Sequence, residues 1–161
     1  MTCLIVNDDH AQLEEFARVL SPIVRVVCAA TEREALNCLG KADILIVDWH
    51  LNGDTAEAVL DAWVSERGGP CCVVSDRLSQ KRLQEFLTFG AYNALHWPFS
   101  LSVLTSVVRH YTQDVVIKRE LTMVTEELRK MRRLLLLVCL LAVSLLGPSG
   151  VTKMIDWVTS L

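Results

Sequence analysis

This chain of 161 residues has no surplus of positive charge: Lys and Arg number 16 against 19 Asp and Glu, for a net charge of −3. It has no basic stripe and no helix-turn-helix pattern, so no nucleic acid partner is expected. The six cysteines, Cys3, Cys28, Cys38, Cys71, Cys72 and Cys139, lack paired C-x-x-C spacing. Most lie in apolar runs, which reads as core thiols in a reducing compartment. Cys71 and Cys72 are adjacent and would point to opposite faces of a strand, which argues against a shared metal. No internal repeat or low-complexity tract occurs. No basic-then-apolar secretory signal opens the sequence. Ser75 has no His in motif spacing, which excludes it as a hydrolase nucleophile. Charge is also missing from Leu134 to Gly147, where much of the 52% hydrophobic share is concentrated. The length suffices for one domain with a sizeable core plus an appendage.

Against these absences stands the placement of the acids. Asp8 and Asp9 end the apolar run Leu4-Ile5-Val6-Asn7, and Asp48 ends Ile44-Leu45-Ile46-Val47. Ser75 ends Cys71-Cys72-Val73-Val74. In an open parallel sheet the strand ends share one edge, and ligands bind there. Three carboxylates at one edge repel one another unless a cation joins them, and such oxygen ligands suit Mg²⁺. The expected site is therefore small, acidic and metal-binding, with one hydroxyl beside it.

The remaining punctuation supports that sheet. Strands are predicted over about Cys3–Val6, Val24–Cys28, Ile44–Val47 and Cys71–Val74, with a weaker one over Tyr92–Trp97. Helices are predicted over about His10–Leu20, from a Thr31 cap to Leu39, over Thr55–Glu66, over Leu78–Phe89 and over Ser100–Tyr111. Thr31 and Glu34 form a capping-box signature, and Asn52-Gly53 marks a turn. The alternation predicts an α/β fold, a doubly wound five-stranded parallel sheet of (βα)5 type. A long C-terminal α-helix, expected to be transmembrane, comes after it.

With these pieces in order, residues 1–112 resemble the receiver domain of two-component response regulators. The resemblance rests on Asp8-Asp9, then Asp48, then Ser75, then Trp97-Pro98-Phe99. The stretch Asp48-Trp49-His50-Leu51-Asn52-Gly53-Asp54-Thr55 is similar to receivers attached to hybrid histidine kinases. The resemblance implies that Asp48 is the phosphoacceptor and attacks a phosphohistidine donor. It implies that Asp9 ligates Mg²⁺ directly, that Asp8 helps directly or through water, and that the His50 carbonyl is a further ligand. It also implies that Ser75 contacts a phosphoryl oxygen. Phosphoryl transfer depends on positioning and on neutralising charge, and such a set supplies both. The implied partner is a histidine kinase or another signalling protein.

Two positions depart from the family. Where it places a Lys before the proline, this chain has Trp97, which carries one N–H donor and no charge. His96 is adjacent but points the other way along a strand. Where the family often has an aromatic that couples phosphate sensing to output, this chain has Ala94, with Tyr92 as a candidate substitute. The metal-binding acids remain while the switch machinery is degraded, the pattern of an atypical receiver. His10 reads as a first-turn polar residue, Trp49 and Trp63 read as packing residues, and a cationic His110 would suit a helix C-terminus.

The last third sets the chain apart from a free-standing receiver. Ile117, Leu121, Val124, Leu128, Met131, Leu135 and Val138 trace a heptad seam, in which Glu127 and Arg132 would pair across a parallel homodimer. Glu126 and Lys130 would pair along one helix. The alternative is one long helix packing back on its own domain. After the basic cluster Arg129-Lys130-Met131-Arg132-Arg133, the uncharged segment covers about 21 Å to Gly147 and about 28 Å to Lys153, against about 30 Å of hydrocarbon. The expected divisions are a receiver-like domain at 1–112, an amphipathic linker helix at 113–133, a membrane segment at 134–152 and a tail at 153–161. The basic cluster would hold the receiver in the cytoplasm. In the alternative, Gly147-Pro148-Ser149-Gly150 forms a turn and the apolar segment is buried in an oligomer or a partner.

The expected function is an atypical receiver module at the membrane, acting through protein contacts. It would not be an enzyme beyond accepting a phosphoryl group at Asp48. One alternative is a working phosphoacceptor, a phosphate sink or relay for a histidine kinase. The other is a structural adaptor that uses neither metal nor phosphate.

Overall fold

A computed structural model describes the backbone of residues 1–159, and the side chains of residues 1–141 and Ser144. Five parallel strands, β1 (Thr2–Val6), β2 (Arg25–Ala29), β3 (Ile44–Asp48), β6 (Cys71–Ser75) and β7 (Asn93–His96), form one sheet in the order β2-β1-β3-β6-β7. A two-stranded antiparallel ribbon, β4 (His50–Leu51) and β5 (Asp54–Thr55), interrupts the series. The helices are α1 (His10–Leu20), α2 (Glu32–Cys38), α3 (Glu57–Glu66), α4 (Gln80–Thr88) and α5 (Leu101–Thr159).

Side-chain alternation along the strands divides the core in two. Leu4, Val6, Leu45, Val47, Cys71 and Val73 face one way, toward Leu60, Trp63 and Phe86 of α3 and α4. Cys3, Ile5, Ile44, Ile46, Cys72 and Val74 face the other way, toward Phe16 and Leu20 of α1 and Leu104, Val108 and Tyr111 of α5. Cys71 and Cys72 therefore lie on opposite faces, both buried. Burial on both faces is why these strands read as continuous apolar runs. Trp63 is fully enclosed, and its indole N–H donates to the Gly69 carbonyl at 3.0 Å. Trp49 packs against Phe86 at 4.6 Å between centroids.

Local chemistry sets the element ends. Thr31 caps α2 through its hydroxyl, which accepts from the Glu34 N–H at 3.2 Å. The returning Glu34 carboxylate takes the Ala30 N–H at 2.8 Å, one residue before the position a standard capping box would use. Asn52 and Gly53, at φ +53° and +93°, turn the ribbon. Gly90 sits at φ +91°, and a Cβ there would fall 2.6 Å from Val64 Cγ2. Both the conformation and the space require glycine.

Residues Met1–Ile117 form one compact unit and Lys118–Leu161 a second. Within the first, α5 contributes buried side chains as far as Val115. The helix does not end near Tyr111 as expected, because no Gly or Pro occurs between Pro98 and Gly147 to stop it. His110 is thus mid-helix and lies 3.6 Å from Asp114, rather than at a C-terminus. In the second unit, Lys130 pairs with Glu127 at 3.1 Å rather than with Glu126. The seam residues Ile117, Leu121, Val124, Leu128 and Met131 are exposed on the chain. Among the described residues no helix is long and apolar enough to cross a membrane. The expected span at 134–152 falls in part on side chains outside the described residues, and the side chains of the 153–161 tail lie wholly outside them. The backbone is helical through Gly147-Pro148-Ser149-Gly150, where a turn was the alternative.

Candidate functional site

The parallel register brings the strand ends level. Val6 pairs with Val47, and Asp48 pairs with Val74, so Asn7, Asp48 and Ser75 close the same sheet edge. A cleft of about 460 Å³ opens there, lined by Asp8, Gln12, Asp48, His50, Val74, Asp76, Arg77 and Trp97.

Asp8 and Asp9 part company at this edge. Asn7 is buried, and its Oδ1 accepts the Asp9 N–H at 2.7 Å, which turns the chain between strand and helix. Asp9 then becomes the N-cap of α1: Oδ1 accepts from Ala11 N at 2.9 Å and Gln12 N at 3.3 Å, and Oδ2 accepts from Gln12 Nε2 at 3.0 Å. These bonds, the Gln12 N–H foremost, hold its carboxyl below the usual range. Asp9 does not line the cleft among the described residues; Asp8 does, steadied by the Asn52 N–H at 2.8 Å. Asp8 is the member of the pair that lines the cleft, and the start of α1 uses the Asp9 carboxylate as its cap. The N-cap position directly before His10 was the sequence signal for this role.

Asp48 is half-buried at the end of β3, and its Oδ1 accepts the His50 N–H at 3.2 Å. Burial pushes its carboxyl upward, and the charges of Asp8 and Asp76 add to the rise, against the opposing pull of His50. Asp8, Asp48 and Asp76 share the cleft with Arg77. Ser75 is fully buried, and its Oγ accepts the Arg77 N–H at 3.2 Å. His50 Nδ1 lies 3.5 Å from Asp76, and the ribbon holds the His50 backbone at the rim. Trp97 sits against Phe99 and Phe16, at 5.2 and 5.9 Å between centroids, and its bond to Pro98 is cis. Tyr92 is exposed with its ring against Tyr111, at the far end of β7 from the cleft.

Asp8 and Asp48 supply an oxygen-only donor set that fits a hard cation keeping several of its waters, as Mg²⁺ does. Among the described residues no group of three or more His, Cys, Asp or Glu side chains is placed to enclose a metal. Of the expected trio of Asp8, Asp9 and Asp48, Asp8 and Asp48 line the cleft. Asn7, Gln12, Asp76 and Arg77 were not singled out from the sequence. Asp76 and Arg77 come directly after Ser75, and a strand-end reading extended by two residues would have reached them.

No family model matches the chain, and no curated protein matches it. Solved structures do. The receiver domain protein of Methanospirillum hungatei is 21% identical with a TM-score of 0.67, over 73% of this chain and 97% of that one. The chemotaxis protein CheY4 of Vibrio cholerae is 24% identical with a TM-score of 0.63, over 68% and 97%. A response regulator of Burkholderia pseudomallei, solved with a phosphorylated aspartic acid, a calcium ion and citrate, is 20% identical with a TM-score of 0.63, over 73% and 72%. The fold is that of response regulator receiver domains, with a long C-terminal helix added.

Proposed function

We propose that this chain is an atypical receiver module in which Asp48 accepts a phosphoryl group and the response is delivered through protein contacts. The observation that carries this reading is the shared cleft of Asp8 and Asp48 at the C-terminal edge of the sheet, next to Ser75. A carboxylate oxygen of Asp48 attacks the phosphorus of a phosphohistidine. The P–N bond breaks, and the imidazole leaves with the electron pair and takes a proton from solvent. Asp8, Asp48 and the His50 carbonyl would hold Mg²⁺, which when bound neutralises charge on the phosphoryl oxygens. Asn52 positions Asp8, and Ser75, buried at the neighbouring strand end, would donate its hydroxyl to a phosphoryl oxygen. Like receivers generally, the module is a signalling part and not an enzyme with turnover.

The helical unit would dimerise in parallel through Ile117, Leu121, Val124, Leu128 and Met131, since this exposed stripe repeats at heptad spacing. The segment 134–152 would anchor the chain in a membrane with the receiver on the cytoplasmic side, supported by the basic cluster before it and the absence of charge within it. A full chain that stays soluble after carbonate extraction would remove the anchor and favour burial in an oligomer.

The test of phosphorylation is intact mass after exposure to a small phosphodonor with Mg²⁺. Wild type should gain one phosphoryl group and Asp48→Asn none. Trp97 favours a second reading, a phosphate-free adaptor, because it replaces the expected cation with a ring packed on Phe16 and Phe99. No mass gain in either protein would select that reading.

A further inference from the structure

The acidic cleft has an unassigned cation. Arg77 is the permanent positive charge among the described residues lining it, where Asp8, Asp48 and Asp76 are the negative ones. Its backbone is fixed to the site, since the Arg77 N–H donates to Ser75 Oγ at 3.2 Å. Such a hydroxyl turn spans two residues and sets the direction in which the chain leaves the strand. Its guanidinium, by contrast, is lightly held: Nε lies 3.6 Å from Asp76 Oδ2, with side chains 77% and 56% exposed. Ion pairs this open to water exchange readily. The opposite Asp76 oxygen, Oδ1, lies 3.5 Å from His50 Nδ1, so one carboxylate bridges two residues of the cleft rim.

Resting on the assignment of Asp48 as phosphoacceptor, we propose that Arg77 is the phosphoryl-binding cation of this site. Asp76 holds the guanidinium while the site is empty, and the guanidinium moves to phosphoryl oxygens when Asp48 carries them. The chemistry favours the exchange. A phosphoryl group offers a planar guanidinium bidentate, charge-assisted bonds, whereas Asp76 holds it at long range from solvent. Trp97, with one uncharged N–H, cannot do this work. The cation has thus moved from the strand-end position before Pro98 to the turn after Ser75.

The experiment titrates the full chain with beryllium fluoride in saturating Mg²⁺ and tracks the backbone ¹⁵N–¹H resonance of His50, whose N–H is bonded to Asp48. Wild type should bind, and Asp48→Asn should not. Arg77→Gln should weaken binding about tenfold or more, the usual loss for a hydrogen bond to a charged group. Arg77→Lys should keep part of the affinity. Adding Trp97→Lys to Arg77→Gln should restore binding, because an ammonium then returns at the position before Pro98. Asp76→Asn should tighten binding in the wild-type background and have no such effect in Arg77→Gln. Equal affinity of wild type and Arg77→Gln, with both dependent on Asp48, overturns the Arg77 assignment alone. A gain from Asp76→Asn that persists without Arg77 overturns the holding role of Asp76. A wild-type chain that binds no beryllium fluoride overturns the phosphoacceptor reading and this proposal with it.

Discussion

The two compact units treat their apolar residues in opposite ways. In residues 1–117 the apolar faces of sheet and helices meet one another, and Trp63, Phe16 and Leu60 are enclosed. Among the described residues of the second unit, the apolar stripe through Leu121, Val124, Leu128 and Met131 is exposed. The first unit buries its apolar faces within itself, whereas the second leaves its stripe open to solvent. A contrast also appears among the acids. Hydrogen bonds at the start of α1 lower the pKa of Asp9, and burial at the end of β3 raises that of Asp48.

Core truncation gives the largest effect on this comparison. Trp63→Ala should cost about 3–5 kcal/mol in denaturant unfolding, while Leu128→Ala, already exposed, should change the unfolding of the first unit by about 0.5 kcal/mol or less. Equal losses would mean that the units are not energetically distinct. Next in size is association. In a chain truncated after Arg133, Leu121→Glu with Leu128→Glu should weaken self-association at least tenfold or so by sedimentation, with the helical signal of the first unit unchanged. A monomeric parent would show that the stripe serves another partner.

Smaller effects separate the acids. Asp8→Ala should remove most Mg²⁺ binding, as measured by NMR. Asp9→Ala should retain it and instead lower the melting temperature by a few degrees through loss of the cap. The signs with pH also differ. Asp9, with its folded pKa lowered, stabilises above the ordinary carboxyl pKa, and this is lost as pH falls through the lowered value. Asp48, with its folded pKa raised, favours the fold in its protonated form, so its contribution disappears as pH rises from the ordinary carboxyl value through the raised one. Asp48→Asn should therefore raise the melting temperature modestly at neutral pH and leave it nearly unchanged in acid. A fall at neutral pH would show that the Asp48 charge is satisfied.

By itself, the order of residues settled the architecture and the address of the site. Strand ends at Val6, Asp48 and Ser75 arise from apolar runs closed by polar residues, and helix starts from Thr31 and the residues after Asp9, because burial and capping are local in sequence. The heptad stripe is legible for the same reason, since a helix repeats at fixed spacing. The assignment of carboxylates within the site was decided only in three dimensions. Asp8 and Asp9 are indistinguishable as adjacent acids, yet the bond from Asp9 N–H to Asn7 and the N–H groups of Ala11 and Gln12 turn one into a cap and leave the other for the cleft. The sharing of one cleft by Arg77 and Asp48 likewise depends on β6 lying next to β3, a pairing of residues distant in the chain that no local spacing records. The length of α5 stands between the two cases. The missing breaker was visible in the sequence, but the burial of Tyr111 and Val115 against the sheet was not.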